Sequence, residues 1–165
     1  MNLESPLNDK LVLAVDDEPD VLEVVGELLD MCRIHKATDY QTAVKLLGAH
    51  SYDAVILDIM GVNGFELLKD SVSRGFPTLM LTAHALTPEA LKKAIKLGAV
   101  SFLPKERIVD LRPILEDLIT YGAAPIWRKT FDSAGEIFSQ HFGPDWKTRD
   151  KFFREFIEEL KNQDV

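Results

Sequence analysis

The chain has 165 residues, 46% of them hydrophobic and 28% charged, and a net charge of −8. This composition excludes disordered and collagen-like chains, and the acidic balance argues against nucleic acid as a partner, because phosphate binding needs lysine and arginine. No apolar run is long enough for a membrane span, and no signal-peptide pattern opens the chain. The single cysteine, Cys32, fits a reducing compartment. We therefore expect a cytoplasmic protein.

Short apolar runs alternate with helical patterns from about residue 8 to residue 121. The runs are continuous in hydrophobicity, as in parallel strands that are covered on both faces. They predict strands at Leu11–Val15, Ala54–Leu57, Thr78–Leu81 and Ser101–Leu103, with a weaker edge strand at Arg33–Ala37. Five such strand–helix units predict an α/β domain, 8–121, with a doubly wound parallel sheet.

Two of the predicted helices have clear boundary signals. Thr87 has the residue type of an N-cap, Pro88 occupies the first helical position, and Gly98 ends that helix. The last helix of the 8–121 domain begins near Asp110 and places Pro113 in its first turn, where the missing N–H costs little.

Polar residues follow four of the predicted strands. Asp16 and Asp17 come after the first strand, Asp58 after the third, Thr82 ends the fourth and Lys105 lies beyond the fifth. Each alone has an ordinary explanation as a helix cap or a solvated lysine. Ligands of open α/β sheets bind at the carboxyl ends of the strands, so the joint occurrence predicts a functional site.

The residue types at this edge indicate phosphoryl transfer. Converging carboxylates repel one another unless a cation neutralises them, and oxygen ligands without histidine or cysteine favour Mg²⁺. A carboxylate beside Mg²⁺, a lysine and a hydroxyl can itself be the nucleophile, which gives an aspartyl phosphate.

The chain strongly resembles the receiver domains of two-component response regulators, the CheY-like family. The resemblance covers about residues 10–120 and implies a flavodoxin-like strand order, 2-1-3-4-5. It is carried by Val15-Asp16-Asp17-Glu18, Leu57-Asp58-Ile59-Met60, Leu81-Thr82-Ala83 and the run from Gly98 to Lys105.

The resemblance implies a metal site and a phosphorylation site. Asp58 would be the phosphoacceptor and part of the Mg²⁺ site, with Asp17 as a direct ligand. Asp16 would contribute through water, and the backbone carbonyl of Met60 would complete the protein ligands.

The resemblance also implies phosphoryl-binding and switch residues. Thr82 and Lys105 would bind the phosphoryl oxygens, and Ala83 is small enough to admit a phosphodonor. Phe102 occupies the position of the family's switch aromatic and would move inward with Thr82, although an ordinary core phenylalanine would look the same.

The sequence departs from the family in three places. The loop from Ile59 to Gly64 is about two residues shorter than usual and lacks a Met-Pro pair. Glu106 follows Lys105 where proline is common, so a cis peptide is not expected there. His84 is interpreted as a solvent-facing loop residue rather than a catalytic base.

Other functional classes fit less well. A haloacid-dehalogenase-like phosphatase would need a second aspartate at Met60, and the turn after the first strand lacks the donors of a flavin phosphate cradle. A histidine kinase would need a nucleotide-binding domain. The alternative that stays open is a receiver-like scaffold that binds a partner without being phosphorylated.

Residues 122–165 form a different kind of segment. It holds both tryptophans and six of the nine phenylalanines, with apolar stripes that predict a hairpin of two amphipathic helices. Such a segment either covers its own receiver domain or forms an interface. Because receiver domains close their own cores, we expect exposed apolar area and a homodimer through 125–161.

We therefore predict a response regulator without an enzymatic or DNA-binding output domain. The resemblance implies a sensor histidine kinase or a histidine phosphotransfer protein as phosphodonor. The output partner is a protein that the sequence does not identify.

Overall fold

A computed structural model describes residues 4–83 and 86–162, so the expectation for His84 lies outside the described residues. All five predicted strands are present, and two of them run one residue further than predicted. Their bounds are β1 Leu11–Val15, β2 Arg33–Ala37, β3 Ala54–Leu57, β4 Thr78–Thr82 and β5 Ser101–Pro104.

The strands form one parallel sheet in the order β2-β1-β3-β4-β5, as predicted. The register places Met80 beside Phe102 and Thr82 beside Pro104. The carboxyl ends of β1, β3, β4 and β5 therefore lie at one edge, and the polar residues that follow them meet there.

Helices flank the sheet and begin where the sequence signals them. Thr87 caps its helix by accepting a hydrogen bond from the N–H of Ala90 at 3.1 Å. A 3₁₀ segment, Lys105–Asp110, joins β5 to the next helix, and the Lys105–Glu106 peptide is trans. The helices are α1 Pro19–Leu28, α2 Tyr40–Ala49, α3 Gly64–Ser73, α4 Pro88–Lys96, α5 Leu111–Tyr121, α6 Ile126–Phe142, α7 Trp146–Arg149 and α8 Lys151–Asn162.

The C-terminal segment differs from the predicted hairpin, because the short helix α7 lies between its two longer helices. The segment folds back onto the sheet and onto α4. Helix α6 packs along β5, the edge strand of the sheet. Lys92 of α4 forms an ion pair of 2.7 Å with Asp150, and Lys96 lies over the ring of Phe152.

The aromatic side chains of this segment belong to the same apolar cluster as the sheet. Trp146, Phe138 and Phe153 are fully buried. No large apolar side chain is exposed in the part of the segment that the structure describes. The expected exposed apolar area is therefore largely absent from the described residues, since the large apolar side chains of this segment are buried or half-buried. The homodimer through 125–161 stays a prediction that this packing does not support. None of the described helices combines the length and the apolar character that a bilayer crossing requires.

Candidate phosphoacceptor and metal site

Two aspartates are fixed at the sheet edge by backbone hydrogen bonds that continue the strand ladders. The N–H of Asp58 donates to the carbonyl of Val15 at 3.0 Å, and the N–H of Asp16 donates to the carbonyl of Ala37 at 3.1 Å. Asp16 is 3% exposed and Asp58 is 2% exposed. Two carboxylates thus lie almost out of solvent at the ends of neighbouring strands.

Lys105 lies between the acidic residues of this edge and pairs with three of them. Its Nζ lies 2.8 Å from Oδ2 of Asp16 and 3.4 Å from both Oδ2 of Asp58 and Oε1 of Glu18. Its side chain is only 12% exposed. Because β5 ends one residue earlier, the strand places this amine directly beside the carboxylates.

The environment of Asp58 disfavours its charge. Burial, together with the smaller effect of the neighbouring Asp16 carboxylate, raises the pKa of Asp58 to about 6. Lys105 and the N–H of Ile59 oppose this shift. Burial on its own would lower the pKa of Lys105, but the hydrogen bond to Asp16 and the surrounding carboxylates outweigh it and raise that pKa. At pH 7 the ionised form of Asp58 still predominates, so the carboxylate is available as a nucleophile.

The structure places Thr82 at the same edge, at the carboxyl end of β4, where it is fully buried. It does not cap the following helix, since Thr87 has that role. Met60 lies in the loop after β3, and the residue is 52% exposed. Its role as a backbone ligand stays a prediction.

The donor set fits a hard divalent cation. Carboxylate oxygens of Asp16, Asp17 and Glu18 lie within 4.8 Å of one another, and Asp58 is linked to this cluster through Lys105. In the sequence Glu18 was named only within the motif Val15-Asp16-Asp17-Glu18, whereas the structure places it in the acidic cluster, at the N-cap of α1 without a side-chain capping bond. Its position directly after two aspartates was the signal that could have identified it.

The short loop after β3 lies against the acidic cluster. A Cβ added to Gly61, whose φ is +82°, would lie 2.1 Å from Oδ2 of Asp17. At the end of the loop, Gly64 donates its N–H to the carbonyl of Ile59 at 3.0 Å, and a Cβ there would lie 2.0 Å from the carbonyl oxygen of Asp58. Both glycines allow backbone contacts that no side chain would permit, and sequence reasoning missed both roles.

Phe102 lies three residues before Lys105 and is fully buried. Its ring centroid is 6.1 Å from that of Phe138 in α6. The residue is therefore a core phenylalanine in this conformation, and its movement as a switch stays a prediction.

The chain resembles solved receiver proteins. A response regulator from Burkholderia pseudomallei, solved with a phosphorylated aspartic acid and a calcium ion, aligns with a TM-score of 0.60 at 23% identity and covers 70% of this chain and 69% of that one. A CheY-like receiver protein from Methanospirillum hungatei aligns with a TM-score of 0.59 at 19% identity and covers 70% of this chain and 100% of that one. At these identities the likeness shows the fold alone.

Sequence comparison gives the family. The two-component response regulator ARR10 of Arabidopsis thaliana is 35% identical over 116 residues, and ORR24 of Oryza sativa is 37% identical over 116 residues. Each match covers 66% of this chain, which spans about a fifth of the relatives' length (21% and 18%). The family model for the response regulator receiver domain matches residues 12–116, more than half of the chain. The chain belongs to the response regulator receiver family of two-component signalling.

Proposed function

We propose that this receiver domain is phosphorylated on Asp58 in a Mg²⁺-dependent reaction. The observation that carries the proposal is the position of Asp58, buried beside Asp16 with the Nζ of Lys105 3.4 Å from its Oδ2. The phosphorylated aspartic acid of the Burkholderia pseudomallei protein supports the same chemistry. A sensor histidine kinase or a histidine phosphotransfer protein is the proposed donor.

The reaction transfers a phosphoryl group from an imidazole nitrogen to a carboxylate oxygen. An Oδ of Asp58 forms the new P–O bond while the P–N bond of the donor breaks, and the electron pair leaves with the imidazole. Lys105 offsets the negative charge of the phosphoryl oxygens, and the Thr82 hydroxyl donates a hydrogen bond to one of them. Asp17, Asp58 and the Met60 carbonyl would hold Mg²⁺, with Asp16 contributing through water, and the bound ion would supply further charge neutralisation.

The domain signals through protein–protein contacts in this proposal. Phosphorylation adds negative charge and strong acceptor oxygens at an edge that is already acidic, so neighbouring groups must rearrange. We propose no nucleic-acid contact for residues 122–165, which carry seven basic and eight acidic side chains and thus no basic excess.

Intact-mass measurement tests the proposal. Incubation with acetyl phosphate and Mg²⁺ should add one acid-stable, base-labile phosphoryl group to wild type and to Asp30→Asn. The latter changes an exposed aspartate in the turn after α1 and serves as the matched control. Asp58→Asn should gain none. Equal labelling of wild type and Asp58→Asn would refute Asp58 as the acceptor, and no labelling of either protein would favour the scaffold alternative.

A further inference from the structure

Helix α6 is attached to the chain that leads into Lys105. The Trp127 indole N–H donates to the carbonyl of Ala99 at 3.2 Å, and the hydroxyl oxygens of Thr130 and Ser101 lie 2.6 Å apart. Both hydrogen bonds are buried. Because buried polar groups are costly to leave unpaired, these bonds fix the start of β5 against α6.

An aromatic contact continues this attachment toward the lysine. Phe102 and Phe138 are both fully buried, with ring centroids 6.1 Å apart at an interplanar angle of 56°. Such tilted pairs add to the stabilisation from apolar burial. The backbone three residues before Lys105 therefore cannot shift without repacking α6.

A polar cluster attaches the chain beyond Lys105 to the same helix. The Ser133 hydroxyl donates to Oδ2 of Asp110 at 2.5 Å, and Nη2 of Arg107 donates to the same oxygen at 2.6 Å. The hydrogen bond from Ser133 and the contact with Arg107 lower the pKa of Asp110, so the carboxylate is charged at neutral pH. The 3₁₀ segment that begins at Lys105 is thus held against α6.

We propose that α6 positions Lys105 for phosphoryl transfer to Asp58, with Phe138 and Ser133 as positioning residues on either side of the lysine. The inference rests on the proposed function. Asp16 and Asp58 are placed by backbone hydrogen bonds to β2 and β1 and not by α6. Loosening α6 therefore displaces the amine and leaves the carboxylates where they are.

Two pairs of variants of the 165-residue chain separate this role from general loosening of the C-terminal segment. Ser133→Ala is matched by Ser139→Ala, because Ser139 is also on α6 but accepts a hydrogen bond from Trp146 within the segment. Ser133→Thr keeps the hydroxyl and should restore wild-type behaviour.

The second pair consists of Phe138→Leu and Phe153→Leu. Phe153 is also a fully buried phenylalanine, and its ring packs on Trp146 of the same segment, with centroids 5.1 Å apart. Both substitutions remove comparable buried apolar volume, and thermal unfolding checks that the two variants are destabilised to a similar degree.

The first measurement is amine labelling of metal-free, unphosphorylated protein with acetic anhydride, mapped by peptide mass spectrometry. Lys105 is ion-paired and nearly buried, so it should react slowly in wild type. We expect severalfold faster labelling of Lys105 in Ser133→Ala and in Phe138→Leu. The two matched controls and Ser133→Thr should show the wild-type rate.

The second measurement is the rate of phosphorylation by acetyl phosphate at saturating Mg²⁺, beside a Mg²⁺ titration. We expect the rate to fall about tenfold in Ser133→Ala and Phe138→Leu. This is a modest loss, because displacing one reacting group by about 1 Å can slow a reaction about a hundredfold. The Mg²⁺ affinity should not fall, because α6 does not place the proposed ligands and a displaced Lys105 amine no longer competes for Oδ2 of Asp16.

Three results would overturn the proposal. Lys105 labelling that rises equally in the matched controls would reduce α6 to a general stabilising element. Faster labelling with an unchanged rate would show that α6 holds the lysine without serving transfer. A wild type that takes up no phosphoryl group would refute the proposed function and with it the role in transfer. Because the labelling experiment uses neither metal nor phosphodonor, its result would still show whether α6 holds Lys105.

Discussion

The Nζ of Lys105 lies 2.8 Å from Oδ2 of Asp16, closer than the 3.4 Å that separates it from Oδ2 of Asp58. In this conformation the lysine therefore neutralises mainly a residue of the acidic cluster and only secondarily the proposed phosphoacceptor. A divalent cation at the cluster would compete with Lys105 for the same oxygens. Metal binding would thus free the amine for the phosphoryl group.

This competition predicts that Lys105→Met binds Mg²⁺ more tightly while it accepts phosphate more slowly. Loss of one nearby positive charge should improve Mg²⁺ affinity about threefold to tenfold, where tenfold corresponds to about 1.4 kcal/mol. Isothermal titration measures the affinity. Lys92→Met is the control, because Lys92 is also ion-paired, with Asp150, but lies outside the cluster. Weaker Mg²⁺ binding by Lys105→Met would contradict the competition.

The raised pKa of Asp58 predicts a pH-dependent difference in stability between wild type and Asp58→Asn without metal. The native pKa is about 6 against an ordinary value of 3.8, so the folded protein binds this proton more tightly than the unfolded chain. The resulting stability is fully present below pH 3.8 and is lost as the pH rises through about 6. Above about pH 7 the asparagine variant should be more stable than wild type by at most about 3 kcal/mol.

Urea unfolding in EDTA from about pH 4 to about pH 8 measures this difference across the range in which the carboxyl titrates. The unfolding free energies of the two proteins should diverge as the pH rises and then stay apart by a constant amount. Asp30→Asn, at an exposed site, should follow wild type throughout. A difference that does not vary with pH would mean that the Asp58 charge is not what destabilises the fold.

The two aspartates after β1 should differ in their importance for metal binding. Asp17 is exposed at the cluster, whereas Asp16 is buried, pairs with Lys105 and accepts the N–H of Glu18 at 2.9 Å. Asp17→Asn should therefore weaken Mg²⁺ binding and nearly abolish phosphorylation, while Asp16→Asn should weaken binding less. Titration of both variants gives the order, and the reverse order would refute the ligand assignment.

The sheet could be predicted because its strands are continuous apolar runs that end in polar residues. Runs such as Ala54–Leu57 are buried at every position, and this pattern is visible in the sequence itself. The meeting of Asp16, Asp58 and Lys105 followed from the parallel sheet, which collects the carboxyl ends of its strands at one edge.

The packing of the C-terminal segment could not be predicted in the same way. The spacing of Phe138 and its neighbours shows an apolar helix face, but the surface that covers such a face depends on the rest of the fold. The contact with Phe102 joins residues far apart in sequence, and neither residue carries a signal for the other. The approach of Gly61 to Asp17 is likewise a tertiary contact, which the glycine alone does not specify.

Gly61 should therefore be essential for metal binding in a way that other glycines of similar conformation are not. Gly61→Ala would place a Cβ 2.1 Å from Oδ2 of Asp17, so the carboxylate or the loop must move. Gly75 has a nearly identical φ of +83° with no atom within 4 Å of an added Cβ, and Gly75→Ala is the matched control.

Both variants, Gly61→Ala and Gly75→Ala, should lose about 1 kcal/mol of stability from the left-handed backbone. Only Gly61→Ala should also weaken Mg²⁺ binding. We expect a loss of about tenfold or more, which is the typical effect of removing a group that orients a metal ligand. Isothermal titration of the two variants measures this difference, and equal Mg²⁺ affinities would show that Asp17 is not held in place by the close approach of Gly61.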